Sequence, residues 1–190
     1  VFGGKEPVTI DHVGKAIAAY ERTLISNDSP FDKYMRGDKD AMSDLAKKGM
    51  DTFQTVGCVA CHSGPNFAGP ELPMGTGFYQ KFPTVPAPEY EKKYKFTEDE
   101  GRYEATEKEA DKHMFRVPTL RNVAKTAPYF HNGRVKKLSE AVRVMGKTQL
   151  GKDLTELQVK EIVAFLRSLT GTLPKVEEPK LPKDPVKEAS

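Results

Sequence analysis

The chain has 190 residues, 37% hydrophobic and 30% charged, and 30 basic against 27 acidic side chains give a net charge of +3; that length fits one domain, or one and a fragment of another. Its longest purely apolar stretches, Ala16–Tyr20 and Ile162–Leu166, are five residues, far short of the roughly 20 that a membrane-spanning helix needs. The two signs of charge are mixed along the chain, without the dense basic stripe of a nucleic-acid binder, so a membrane span and a nucleic-acid partner are both set aside.

The chain opens on Val1 with no charged segment followed by an apolar run. No targeting peptide is read there, and either a removed leader or a piece of a longer chain is expected. The first patterned segment is Ile17-Ala18-Ala19-Tyr20-Glu21-Arg22-Thr23-Leu24. Its Ile, Ala, aromatic, Arg and Leu recur at the same offsets in Ile162-Val163-Ala164-Phe165-Leu166-Arg167-Ser168-Leu169. Two amphipathic helices can share such a pattern by chance, so the echo alone decides nothing.

Ser43 to Val56 reads as an amphipathic helix. Ser43 is its N-cap, and Ala46, Gly49, Met50 and Phe53 follow at helical spacing. Gly49 costs helix stability, so it is expected to permit the close approach of another helix. Both cysteines follow in Cys58-Val59-Ala60-Cys61-His62. This C-x-x-C-H order is the attachment pattern of a c-type haem. Thiols three residues apart share one face of a helical turn and reach two vinyl groups of one porphyrin. His62 then serves as an axial nitrogen ligand. A thioredoxin-like pair would want a preceding strand in a βαβ unit, and a zinc site would want two more soft ligands; the sequence offers neither. Haem attachment of this kind implies the periplasm, and the lack of other cysteines fits an oxidising compartment.

Residues 63–90 are rich in Gly and Pro and read as loops. Residues 91–116 are highly charged and read as a solvated face, with a docking role as the alternative. Leu138 to Gly146 is a short pattern that carries Met145. A haem without an open site needs a second axial ligand, and Met74, Met114, Met145, His113 and His131 are the candidates. Met145 precedes the final helix by about one loop, where small cytochromes c place their ligand loop. Gly146 is read as giving the backbone freedom there, and Met74 is the runner-up. A thioether favours ferrous iron and raises the potential. An iron held by His and Met moves electrons and does not bind peroxide, and no other catalytic constellation is present.

Thr155 to Leu169 reads as the last helix. Thr155 caps it, Val159, Ile162, Val163, Leu166 and Leu169 form its stripe, Phe165 lies on a flank, and Gly171 and Pro174 stop it. A glycine-bearing helix, then C-x-x-C-H, then a crossing last helix is a cytochrome c arrangement. The earlier copy of the echo then reads as the last helix of another such domain, whose haem motif would lie before Val1. The expected class is therefore all-α: a cytochrome c-like haem domain with long irregular loops, preceded by the last helix of a second one. The expected boundaries are 1–30, 31–172 and a charged, proline-bearing extended tail at 173–190.

Six stretches together resemble the bacterial di-haem cytochrome c peroxidases. They are Lys15 to Leu24, Gly57 to His62, Gly101-Arg102-Tyr103, Phe115 to Val123, Thr126-Ala127-Pro128-Tyr129-Phe130-His131-Asn132-Gly133 and Met145-Gly146-Lys147-Thr148-Gln149-Leu150-Gly151. The resemblance runs from about Val8 to Gly171, and its last two stretches are far more specific than C-x-x-C-H. It implies two cytochrome c-like domains, of which the C-terminal one takes electrons from a small cytochrome c or cupredoxin. It implies haem c on Cys58 and Cys61, with His62 and Met145 on the iron. It also implies calcium held by the backbone carbonyls of Thr126 and Pro128, and a periplasmic homodimer. Arg121 is assigned to a haem propionate by our own reading. The family's peroxidatic haem and its acid–base residues belong to an N-terminal domain of which only about residues 1–30 are present, so no catalytic residue is expected in this chain. A related branch that oxidises protein-bound tryptophan has tyrosine in place of the methionine ligand, and Met145 argues against it. The alternative function is a free-standing mono-haem electron carrier.

Overall fold

The computed structural model describes residues 3, 8–73, 75–177 and 180. The chain divides into two units: Asn27–Gly171, and a smaller one formed from Val1–Ser26 and Thr172–Ser190.

In the smaller unit, the Thr9 hydroxyl accepts from the His12 amide at 3.2 Å and caps α1 (Ile10–Glu21). Val13, Ile17 and Tyr20 recur every three or four residues, which places them on one side of the helix, and Leu24 follows three residues past its end. Each is 42–54% exposed, and α1 buries none of its residues. Of the expected tail, residues 173–177 and 180 are described and carry no helix or strand; the rest of it lies outside the described residues.

The larger unit contains α2 (Pro30–Met35), α3 (Asp44–Val56), β1 (Tyr79–Lys81), α4 (Pro88–Tyr94), α5 (Tyr103–Thr106), β2 (Met114–Arg116), α6 (Leu138–Leu150) and α7 (Glu156–Ser168). It is mostly helical, as expected. The all-α expectation needs one addition, because β1 and β2 pair antiparallel with Gln80 opposite Phe115. Three-residue strands inside Gly- and charge-rich stretches are too short for a period of two to register.

The principal seam is the crossing of α3 and α7. Ala46, Gly49, Phe53 and Val56 of α3 are buried, and so are Val159, Ile162, Val163, Phe165 and Leu166 of α7. A Cβ on Gly49 would sit 1.9 Å from the Glu161 carbonyl oxygen, so a backbone passes where a side chain would stand. Beside it, the Thr52 hydroxyl donates to the Glu161 carboxylate at 2.7 Å. Phe165, expected on a flank, is 1% exposed, whereas Val163 is 9% exposed. The reason is an aromatic cluster: the rings of Phe31, Phe53 and Phe67 lie 5.2–5.9 Å from the Phe165 ring.

α7 starts on a reciprocal cap. The Thr155 hydroxyl accepts from the Gln158 amide at 3.2 Å, and the Gln158 side chain accepts from the Thr155 amide at 2.9 Å. Thr155→Ala removes the first of these bonds. It is expected to cost about 1 kcal/mol, read as a lower urea midpoint with an unchanged slope.

A second core corrects the reading of residues 91–116 as wholly surface. Tyr94 and Phe96 are 7% and 1% exposed, packed with Phe82, Val135 and Val144. The charges of this stretch face water, while the aromatic residues interleaved among them turn inward. α6 brings a second correction. Met145 lies within this helix and not on a loop. Gly146 is helical too: its missing Cβ would stand 2.8 Å from Leu154 Cγ and 3.2 Å from the Lys152 carbonyl oxygen. Glycine there admits the turn that follows α6; its backbone freedom goes unused.

Candidate functional site

α3 ends at Gly57, which takes a left-handed conformation with φ of 108°. The chain then tightens into a 3₁₀ turn at Cys58–Ala60. The amides of Cys61 and His62 both donate to the Cys58 carbonyl, at 3.3 and 3.0 Å. Helix, left-handed glycine and tight turn thus carry both thiols and the imidazole to one wall of a cavity of about 500 Å³. This volume lies within the roughly 300–1,000 Å³ of cofactor pockets. Met145, from α6, lines the same cavity, as do Phe82, Phe115, Leu120 and Ile162. Among the described residues that line it, Arg116 is the one Asp, Glu, Lys or Arg.

The His62 Nδ1 lies 2.9 Å from the Phe67 carbonyl oxygen. A carbonyl only accepts, so Nδ1 carries the proton and Nε2 keeps a lone pair. Burial holds the His62 pKa below its ordinary value, although the bond to Phe67 works against this. A neutral imidazole with a free Nε2 is the form that binds a metal. Cys58 and Cys61 are not joined in a disulfide. Burial pushes the Cys58 thiol up to about 11. A redox-active pair needs the opposite shift, a depressed thiol pKa, which burial denies Cys58.

Of the five candidates for the second axial position, Met145 and His131 line the cavity. His131 stacks on Phe115, with ring centres 4.2 Å apart and planes 13° apart. Its Nε2 lies 3.0 Å from the Phe96 carbonyl oxygen and donates to it. His113 and Met114 do not line the cavity; the His113 Nδ1 lies 3.1 Å from the Asp99 carbonyl oxygen. Met74 lies outside the described residues. Thr126 and Pro128 both line the cavity and are exposed.

Arg121, expected at a propionate, is not among the lining residues. Its Nη1 donates to Asp32 Oδ1 at 2.8 Å and its Nε to the Pro65 carbonyl oxygen at 2.9 Å. The pair is largely buried, at 18% and 11% side-chain exposure. Burial raises the Asp32 pKa, but the bonds from Ser29 and Arg121 and the guanidinium charge outweigh it and leave it lowered. Sequence reasoning missed this pairing, the Phe67 carbonyl and the stack on His131. None has a local signal, because each partner comes from a distant segment or from the backbone.

The family described as di-haem cytochrome c peroxidase matches residues 1–40. The chain is 45% identical over 178 residues to the cytochrome c551 peroxidase of Pseudomonas aeruginosa, covering 93% of this chain and 49% of that protein. It is 42% identical over 182 residues to the cytochrome c551 peroxidase of Nitrosomonas europaea, covering 96% and 51%. A crystal structure of a MauG-like protein associated with microbial copper homeostasis shares the fold, with a TM-score of 0.65 and 24% identity over 88% of this chain and 59% of that one. The chain thus spans about half the length of the curated relatives it matches, and over that half it is similar to the bacterial di-haem cytochrome c peroxidases.

Proposed function

We propose that this chain is the C-terminal, electron-accepting portion of a di-haem cytochrome c peroxidase, folded as a cytochrome c-like domain around one haem c. The observation that carries the reading is the meeting of Cys58, Cys61, His62 and Met145 on one largely apolar cavity. Two thiols, an imidazole and a thioether are the donor set that covalent haem c with His/Met ligation requires. When bound, the haem supplies one-electron storage at its iron.

The chain's own residues do the rest. Cys58 and Cys61 fix the macrocycle in the cavity. The Phe67 carbonyl holds the His62 proton on Nδ1, which leaves Nε2 for the iron. Met145, set by α6 on the same cavity, would be the second side chain to hold the iron, and a thioether there would leave no position for peroxide. The apolar lining excludes water. Arg116 is the cation on the lining suited to a propionate, in place of Arg121. Thr126 and Pro128 supply oxygen atoms at the cavity's exposed edge, in keeping with a calcium ion held by backbone carbonyls.

Relatives are named as peroxidases of cytochrome c551, so a small c-type cytochrome is the proposed donor, with a cupredoxin as the alternative. Peroxide would then be reduced to water at a second haem in the rest of the protein. The periplasm and a homodimer belong to the same reading. The test counts haem and activity together. This chain, matured with haem, is expected to retain one porphyrin through acid–acetone extraction, to accept an electron from a reduced c-type cytochrome and to leave hydrogen peroxide unconsumed. Extractable or absent porphyrin refutes the covalent site. Rapid peroxide turnover by the chain itself refutes the relay role. If the full-length protein carries a single haem and turns over no peroxide, the chain is an electron carrier instead.

A further inference from the structure

The carbonyl that orients His62 belongs to a residue in an unusual conformation. Phe67 has φ of 52°, a left-handed backbone that non-glycine residues rarely adopt. Something must hold it there. Its own turn contributes, with the Phe67 amide donating to the Gly64 carbonyl at 3.1 Å. The remaining restraint comes from a segment more than fifty residues away in sequence. The Thr119 hydroxyl donates to the Asn66 carbonyl at 2.7 Å, and the Leu120 amide donates to the same oxygen at 3.3 Å. Arg121 Nε donates to the Pro65 carbonyl at 2.9 Å. The Arg121 guanidinium also lies against two aromatic rings that touch each other, 5.4 Å from the centre of Phe31 and 5.6 Å from the centre of Phe67. Asp32 fixes it from the far side at 2.8 Å. Asp32 is itself held by the Ser29 amide and hydroxyl, at 3.0 and 2.6 Å.

We propose that Arg121 is a positioning residue for the axial imidazole: by clamping Pro65 and the Phe67 ring against the anchored Asp32, it keeps the Phe67 carbonyl on His62 Nδ1. This rests on the reading of His62 as a haem-iron ligand. A firm Nδ1–H···O=C bond makes the imidazole a stronger electron donor and favours ferric iron. The clamp therefore lowers the reduction potential of the site. It needs a planar fork of donors whose faces also stack on rings, which a lysine ammonium does not provide.

The test compares Arg121→Gln, Arg121→Lys and Thr119→Val in the haem-loaded protein, with Thr155→Ala as a control for stability loss alone. Two quantities are read: the midpoint potential, and the exchange rate of the His62 Nδ1 proton by NMR. Both Arg121 variants are expected to raise the potential and to speed exchange roughly tenfold, equivalent to about 1.4 kcal/mol of a hydrogen bond to the ligand. Arg121→Lys is expected to behave like Arg121→Gln and not like the parent. If the Arg121 variants fail to fold, Thr119→Val is expected to shift both readouts in the same direction. Thr155→Ala is expected to leave both readouts alone. An unmoved potential and exchange rate in folded Arg121 variants overturns the positioning role while leaving the haem reading intact. A parent protein without porphyrin overturns both.

Discussion

Gly49→Ala is expected to destabilise the haem-loaded protein by about 3 kcal/mol, against the usual sign for this substitution. In an exposed helix interior, glycine to alanine gains up to about 1 kcal/mol through propensity. Here the new Cβ would lie 1.9 Å from the Glu161 carbonyl oxygen, 2.6 Å from its carbon and 3.0 Å from Phe165 Cβ. None of these atoms is the free end of a flexible side chain, so α3 and α7 must separate. Separation loosens the Phe53–Phe165 contact at 5.2 Å and the bond between Thr52 and Glu161. Overpacking alone costs about 1–3 kcal/mol, and the lost contacts bring the net cost to the upper end. Urea midpoints check it. Gly14→Ala on α1 is the control: nothing lies within 4 Å of its Cβ position, so it should stabilise by roughly 0.5–1 kcal/mol. If Gly49→Ala stabilises in the same way, the two helices do not cross in contact at that point.

Met145→Ala carries the largest expected functional effect. In the haem-loaded protein it is expected to remove the sulfur-to-iron charge-transfer band. It should also lower the midpoint potential by a substantial part of the roughly 0.8 V that axial ligation commands. The small side chain leaves room on the cavity side of α6, so a gain in peroxide reactivity over the parent is expected. Absorption spectra, potentiometry and peroxide consumption on the same sample check the three effects. An unchanged low-spin, thioether-type spectrum would mean that another sulfur holds the iron.

The parts of the site legible in the sequence were those written within one short segment. Cys58, Cys61 and His62 are a contiguous pattern. The stripes of α3 and α7 follow from helical period, and Gly49 was marked as a close approach because glycine in a helix otherwise only costs stability. Both its place in the chain and the resemblance point to Met145, but the sequence suggests a loop where α6 runs. Its helix carries no side-chain N-cap, and Gly146 resembles a breaker unless Leu154 is known to pack on it. Arg121 was assigned by charge alone. An arginine in one of the stretches that carry the resemblance suggests a propionate, and only the fold reveals Asp32, 89 residues away, as its partner. The second core escaped notice because Tyr94 and Phe96 are embedded in charge, and composition averages over the alternation that separates their buried rings from their solvated neighbours.

The elevated pKa of Cys58 has a consequence in time. At pH 7 a thiol titrating at about 11 is ionised in only about one molecule in ten thousand, and disulfide closure requires the ionised sulfur as its nucleophile. A polypeptide that reaches this fold before its prosthetic group arrives therefore keeps Cys58 largely protonated and slow towards oxidants. The same burial that shapes the pocket preserves the sulfur for its eventual thioether bond.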